Sequence, residues 1–118
     1  MAQAIGTFDV KLEPQHPSDQ AQAAKLGRMT IDKQFSGDLE ATSVGEMLAA
    51  MTGVEGSAGY VALERVTGTL HGRHGSFFLQ HSGTMTRGKT SLSVTVVPDS
   101  GTGDLAGLRG SMAIQVEA

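Results

Sequence analysis

Two side chains stand out because each breaks an apolar face. Residues 60 to 71 alternate so that Tyr60, Ala62, Glu64, Val66 and Leu70 share one side. Residues 76 to 86 do the same with Phe77, Leu79, His81 and Met85. Period-two alternation marks strands with one face on a core. A Gly72-Arg73 turn between them makes a hairpin, and Glu64 and His81 lie at comparable distances from that turn. A carboxylate and an imidazole on an inner face are costly unless they pair or hydrogen-bond. Such a pair is either a structural ion pair or an acid–base couple lining a ligand cavity. Lys33, Glu40 and Glu46 are further charges able to join it, depending on which way they face.

Other chemical signatures fail on context. Gly83-Thr-Met-Thr-Arg-Gly88-Lys89-Thr90 matches the phosphate-loop pattern, but that mechanism needs a helix after the lysine. Here Ser91 to Val97 is β-branched and alternating, so the stretch reads as a hairpin turn. Gly101-Thr-Gly103-Asp-Leu-Ala106 imitates a dinucleotide fingerprint and fails for the same reason. No serine sits in a GxSxG elbow. His71 and His74 share one tight turn without the third and fourth ligands a stable metal site needs, so they read as surface residues and no metal is assigned. No cofactor is expected either.

The elements that must position Glu64 and His81 are strands. Phe8, Val10 and Leu12 alternate with charges; Met29, Ile31 and Phe35 alternate within 28–35. Pro14 to Lys25 reads as a loop with room for a weak helical turn from Ser18. Ser43 and Glu46 have capping-box spacing and 46–51 favours helix locally, but Gly45 and the neighbouring strands argue for a strand bent at Gly45. Leu108, Met112, Ile114 and Val116 alternate at the end of the chain. About seven strands joined by short turns, with glycines inside them (Gly68, Gly83, Gly110), predict an all-β protein: a small antiparallel barrel of about 7–8 strands, one domain over 1–118.

Composition narrows the partners. The chain has 118 residues, a formal charge of −3 with Lys and Arg scattered, and 4% aromatics. Nucleic-acid binders concentrate positive charge and stacking rings, so no nucleic acid is expected. No run approaches the ~20 apolar residues of a membrane helix, so no membrane span is expected. The N-terminus lacks a basic start followed by an apolar stretch, which makes the cytoplasm the default compartment. Cysteine is absent, removing disulfides and thiol chemistry.

Three stretches carry a family likeness: Asp38 to Leu48, Gly56 to Gly72, and His81 to Met85 with Ser91 to Gly107. They resemble a family of small bacterial proteins grouped with the allene oxide cyclase-like barrels. Gly101-Thr-Gly-Asp-Leu-Ala-Gly-Leu-Arg-Gly110 also looks like the GTGxFxGAxG turn of plant dirigent proteins. The resemblance implies an eight-stranded barrel with a central cavity, often in homo-oligomers, but implies no reaction. In the plant relatives the cavity steers an apolar intermediate; their catalytic residues have no counterparts here and none is carried over. Family members usually continue with a final aromatic-rich strand, whereas this sequence stops at Ala118. Without that strand the barrel would leave two unpaired edges, unless the sequence is truncated, a partner chain covers the gap or the N-terminal strand closes a smaller barrel.

The expected function is binding of a small apolar ligand in a cavity containing Phe8, Val10, Val94 and Ile114 together with the contact residues Tyr60, Glu64, Phe77, Leu79, His81 and Met112. Glu64 and His81 are its polar anchors and the candidate catalytic residues of the alternative, an isomerase or cyclase acting on an apolar substrate. A third reading is a structural or oligomerisation module without a ligand.

Overall fold

The computed structural model describes residues 2 to 115. Seven strands, β1 (Gly6–Gln15), β2 (Gly27–Gly37), β3 (Leu39–Met51), β4 (Ala58–Leu70), β5 (Arg73–Thr86), β6 (Lys89–Val96) and β7 (Ser111–Met112), form one sheet in sequence order. Every neighbouring pair is antiparallel. The protein is therefore all-β and meandering. Its sheet curls like a barrel without a β1–β7 ladder to close it among the described residues. Beside it, among the described residues, are α1 (Asp19–Ala23), capped by the Ser18 hydroxyl, and a 3-10 turn at Gly103–Leu105. Among the described residues no helix is long and apolar enough to cross a membrane.

Tight turns set the register. The β4–β5 turn is His71-Gly72, one residue earlier than Gly72-Arg73, and Arg87-Gly88 joins β5 to β6. Both residues of each turn have positive φ, 49° and 78° in the first, 50° and 89° in the second. That is the type I′ geometry, whose twist matches that of the flanking strands. The phosphate-loop look-alike is thus the end of β5, this turn and the start of β6.

Residues 39–51 form a continuous strand, as the bend at Gly45 requires. A Cβ at Gly45 would fall on the Leu63 carbonyl oxygen and come within 2.7 Å of Glu64 Cα. Glycine lets β3 and β4 approach there, and the sheet coils around that point.

The core lies on the concave face, toward one end. Phe35, Val66, Phe77, Leu79, Val94 and Leu105 are buried together, with Phe8, Met112 and Ile114 packed against them. The 3-10 turn plugs this end. Thr102 accepts from Ser76 N (3.0 Å) and shares a 2.7 Å hydroxyl contact with it, setting Leu105 into the core. The dinucleotide-like stretch is therefore a plug. It also shortens the last strand. Only Ser111–Met112 pair with β6, because Gly107 and Gly110 take positive φ and break the extended run from Leu108. Val116 and Glu117, expected in that strand, lie outside the described residues.

Candidate functional site

Parity along the strands decides which polar groups meet. Lys33 lies between Ile31 and Phe35 on the inner face of β2, Ser43 opposite it on β3, and Glu64 and His81 on the inner faces of β4 and β5. Ala62 is the register partner of His81, and Leu79 of Glu64, so the pair is diagonal across the hairpin. All four polar residues are buried, Glu64 with 1% of its surface exposed.

Glu64 is the hub. Its Oε2 accepts from Lys33 Nζ at 2.8 Å and lies 2.6 Å from His81 Nε2, while its Oε1 accepts from the Ser43 hydroxyl at 2.9 Å. Lys33 Nζ also sits 4.7 Å from the centre of the Phe8 ring and 5.8 Å from that of Phe35, a cation–π seat in a dry place. Burial pushes the Glu64 carboxyl pKa up. The hydrogen bonds from His81, Lys33 and Ser43 and the charge of Lys33 outweigh it, and the pKa ends below the ordinary value. Glu64 is thus an ionised acceptor, so the His81 nitrogen facing it donates and carries the proton. The other ring nitrogen, Nδ1, has no partner among the described residues and is not sealed off. In the neutral imidazole it is a lone-pair acceptor.

Toward the far end of the trough the core gives way to an open floor. The register places Met29, Met47, Ala62 and His81 in one inner row, then Ala49, Tyr60 and Gly83, then Met51, Ala58 and Met85. Met29, Met47, Tyr60 and Met85 are half-buried, and the Tyr60 ring lies across Gly83. Burial first, and then the Glu64 charge, raise the Tyr60 pKa, so the hydroxyl stays neutral. The described strands thus make a trough, filled at one end and open at the other, where the family likeness had implied a closed chamber.

The expected contact residues divide accordingly. Tyr60, Glu64 and His81 gather around the open half. Phe77 and Leu79 belong to the filled core, with Met112 packed against its edge. Val10, expected inside, is 47% exposed on the unpaired rim. Glu40 and Glu46 face outward; Glu46 pairs with Arg28. Lys33 joins the pair, as its alternation with Ile31 and Phe35 allowed. Ser43 was missed as a site residue because its spacing to Glu46 resembled a helix cap; its parity with Ala41 and Gly45 was the available signal. His71 and His74 are exposed, His71 against the Gln3 carbonyl and His74 against Thr69. No group of three or more His, Asp or Glu able to hold a metal occurs among the described residues. Two hollows, of about 350 and 440 Å³, are shallow. Both take in the outward Gln34 and Thr42, and the smaller is also lined by Lys33 and Ser43 of this cluster.

Residues 4–118 match the model of a protein family of unknown function, DUF3224. The chain belongs to the DUF3224 family. A solved DUF3224 structure from Shewanella oneidensis MR-1, also of unknown function, is 56% identical with a TM-score of 0.89, and the match covers 98% of this chain and 87% of that one. No curated protein matches. The family of this DUF3224 chain thus supplies a fold and no activity, and the function must be argued from the trough.

Proposed function

We propose that this DUF3224 chain binds a small apolar molecule in the open half of its trough, with Glu64 and His81 as polar anchors. The observation that carries this reading is a buried polar cluster in which both Glu64 oxygens are partnered and one imidazole nitrogen has no partner among the described residues, beside an adaptable apolar floor. Binding sites are mostly apolar with a few placed polar groups. Methionine suits a floor that must fit irregular shapes, being unbranched and polarisable. Tyr60 and the methionines at 29, 47 and 85 make the contacts, His81 Nδ1 receives a polar group of the ligand, and Phe77, Leu79 and Met112 form the packed end against which it stops. Kinship with allene oxide cyclase-like barrels belongs to the same proposal.

Tyr60 is the only tyrosine, and there is no tryptophan. Its emission therefore reports on the trough alone. Titration with N-phenyl-1-naphthylamine is expected to give saturable binding with quenching of Tyr60, and Met47→Lys to abolish both. Saturable binding that survives Met47→Lys, or no binding at all, sinks the proposal.

A second reading rests on the 2.6 Å contact between Glu64 and His81. A carboxylate that fixes the imidazole tautomer and leaves Nδ1 free is an acid–base couple suited to isomerising or cyclising an apolar substrate. On that reading Glu64→Gln abolishes turnover while the fold persists. A module without ligand, the remaining alternative, predicts no probe binding.

A further inference from the structure

The open half of the trough has an apolar lining that the described residues leave bare. Leu12 on β1, Met51 on β3 and Leu92 on β6 share the inward parity of Phe8, Met47 and Val94, yet they are 45%, 78% and 44% exposed. His81 borders this lining. Its register partners are Ala62 and Val94, and the next inner position along β5 is Gly83, which has no side chain. His81 is itself only 4% exposed, and its Nδ1 has no partner among the described residues. Buried polar groups are as a rule hydrogen-bonded, so this nitrogen calls for a partner from outside the chain.

The charges around it decide which kind. On the inner faces of β1 to β6 the described cations are Lys33 and, beyond Phe77 at the packed end, Arg73. Glu64 is the inner carboxylate. Lys33 Nζ stands 2.8 Å from the same Glu64 oxygen that His81 Nε2 meets at 2.6 Å, and it faces the Phe8 and Phe35 rings rather than the open half. One carboxylate is thus matched by one ammonium. An imidazolium would be a second cation on that carboxylate, costly in a buried place. The cluster therefore closes on a neutral ring, with Nε2–H toward Glu64 and a lone pair on Nδ1. Only a donor can meet that lone pair. A carboxylate would set lone pair against lone pair and find no unspent cation nearby. The inward hydroxyls of Tyr60 and Thr90 donate or accept equally well, so they do not alter the preference.

We infer that the trough selects a neutral apolar molecule bearing an alcohol, phenol or enol, whose O–H donates to His81 Nδ1, over the matching ether or carboxylate. This rests on the reading of the open half as a binding site and adds the polar chemistry of its ligand.

The test uses three compounds with one apolar body: 2-naphthol carries a donor, 2-methoxynaphthalene an acceptor only, and 2-naphthoate an anion. Each displaces N-phenyl-1-naphthylamine from the wild-type chain at neutral pH, followed by the probe's own emission. 2-Naphthol is expected to compete about three- to tenfold more strongly than the ether, the usual worth of one hydrogen bond, with 2-naphthoate the weakest. In long-range proton–nitrogen spectra 2-naphthol, but not the ether, moves the Nδ1 resonance of His81. Equal competition by 2-naphthol and its ether overturns the inference. So does tightest binding of 2-naphthoate, a 2-naphthol complex in which Nδ1 does not move, or failure of all three to displace a bound probe. In each of those cases binding in the trough still stands. Failure of the probe itself to bind removes that reading, and the inference with it.

Discussion

Glu64 owes its charge to three donors, and that dependence has a pH signature. Its carboxyl pKa is depressed in the folded chain by His81, Lys33 and Ser43 acting against burial, while in the unfolded chain it returns to about 4.3. The folded state therefore gains stability from this group at every pH above the unfolded value. The gain disappears as pH falls through the lower, folded pKa. Thermal unfolding across the acid range is expected to show this limb, and Glu64→Gln, which cannot ionise, to flatten it. The substitution also leaves the Lys33 ammonium without its counter-charge in a site only 8% exposed. Breaking one side of a buried pair costs about 3–5 kcal/mol, so the variant is expected to be less stable near neutrality by that order. An unchanged acid limb in Glu64→Gln would assign it to other carboxylates.

At the scale of elements, the curl of the sheet depends on close approaches as much as on hydrophobic alternation. Gly45 is one such case, with Leu63 and Glu64 backbone where a side chain would stand. Gly45→Ala is expected to destabilise by about 1–3 kcal/mol, the usual cost of forcing extra atoms into a packed place. Because the displaced atoms are those of Glu64, the His81 contact should loosen as well. Denaturant unfolding checks the first effect, and the imidazole proton resonances of His81 the second. If Gly45→Ala folds with full stability, the approach of β3 to β4 is not what bends the sheet. The Leu105 plug acts at the other end, where a short turn sets an apolar side chain into the core.

For the molecule as a whole, an open sheet has graded stability. β4 and β5 are paired on both sides and hold the centre of the core, whereas β1 pairs only with β2 and exposes Val10 and Leu12. Local opening draws on such weakly packed elements. Amide hydrogen exchange is expected to be slowest in Ala62–Val66 and Phe77–His81 and fastest, among the strands, in β1. Protection of β1 equal to that of β4 would mean that something pairs with its outer edge.

The strands and the inward residues of the Glu64 and His81 hairpin were written locally, because alternation assigns a face to each side chain without reference to any distant partner. For the same reason the phosphate-loop and dinucleotide look-alikes were separable from real sites, since neither leads into a helix that could hold a phosphate. Facing alone did not tell which polar groups would meet. Lys33 and Ser43 reach Glu64 from two other strands, and that depends on register and curl, which are properties of the assembled sheet. Whether the trough is closed was equally beyond alternation, since closure turns on a ladder between the first and last strands, the longest-range contact the topology allows. Sequence by itself determined an antiparallel sheet with a charged pair on its inner face. Tertiary structure made that pair a four-residue cluster, with one imidazole nitrogen unpartnered among the described residues, because only the coiled sheet brings β2, β3, β4 and β5 around one buried carboxylate.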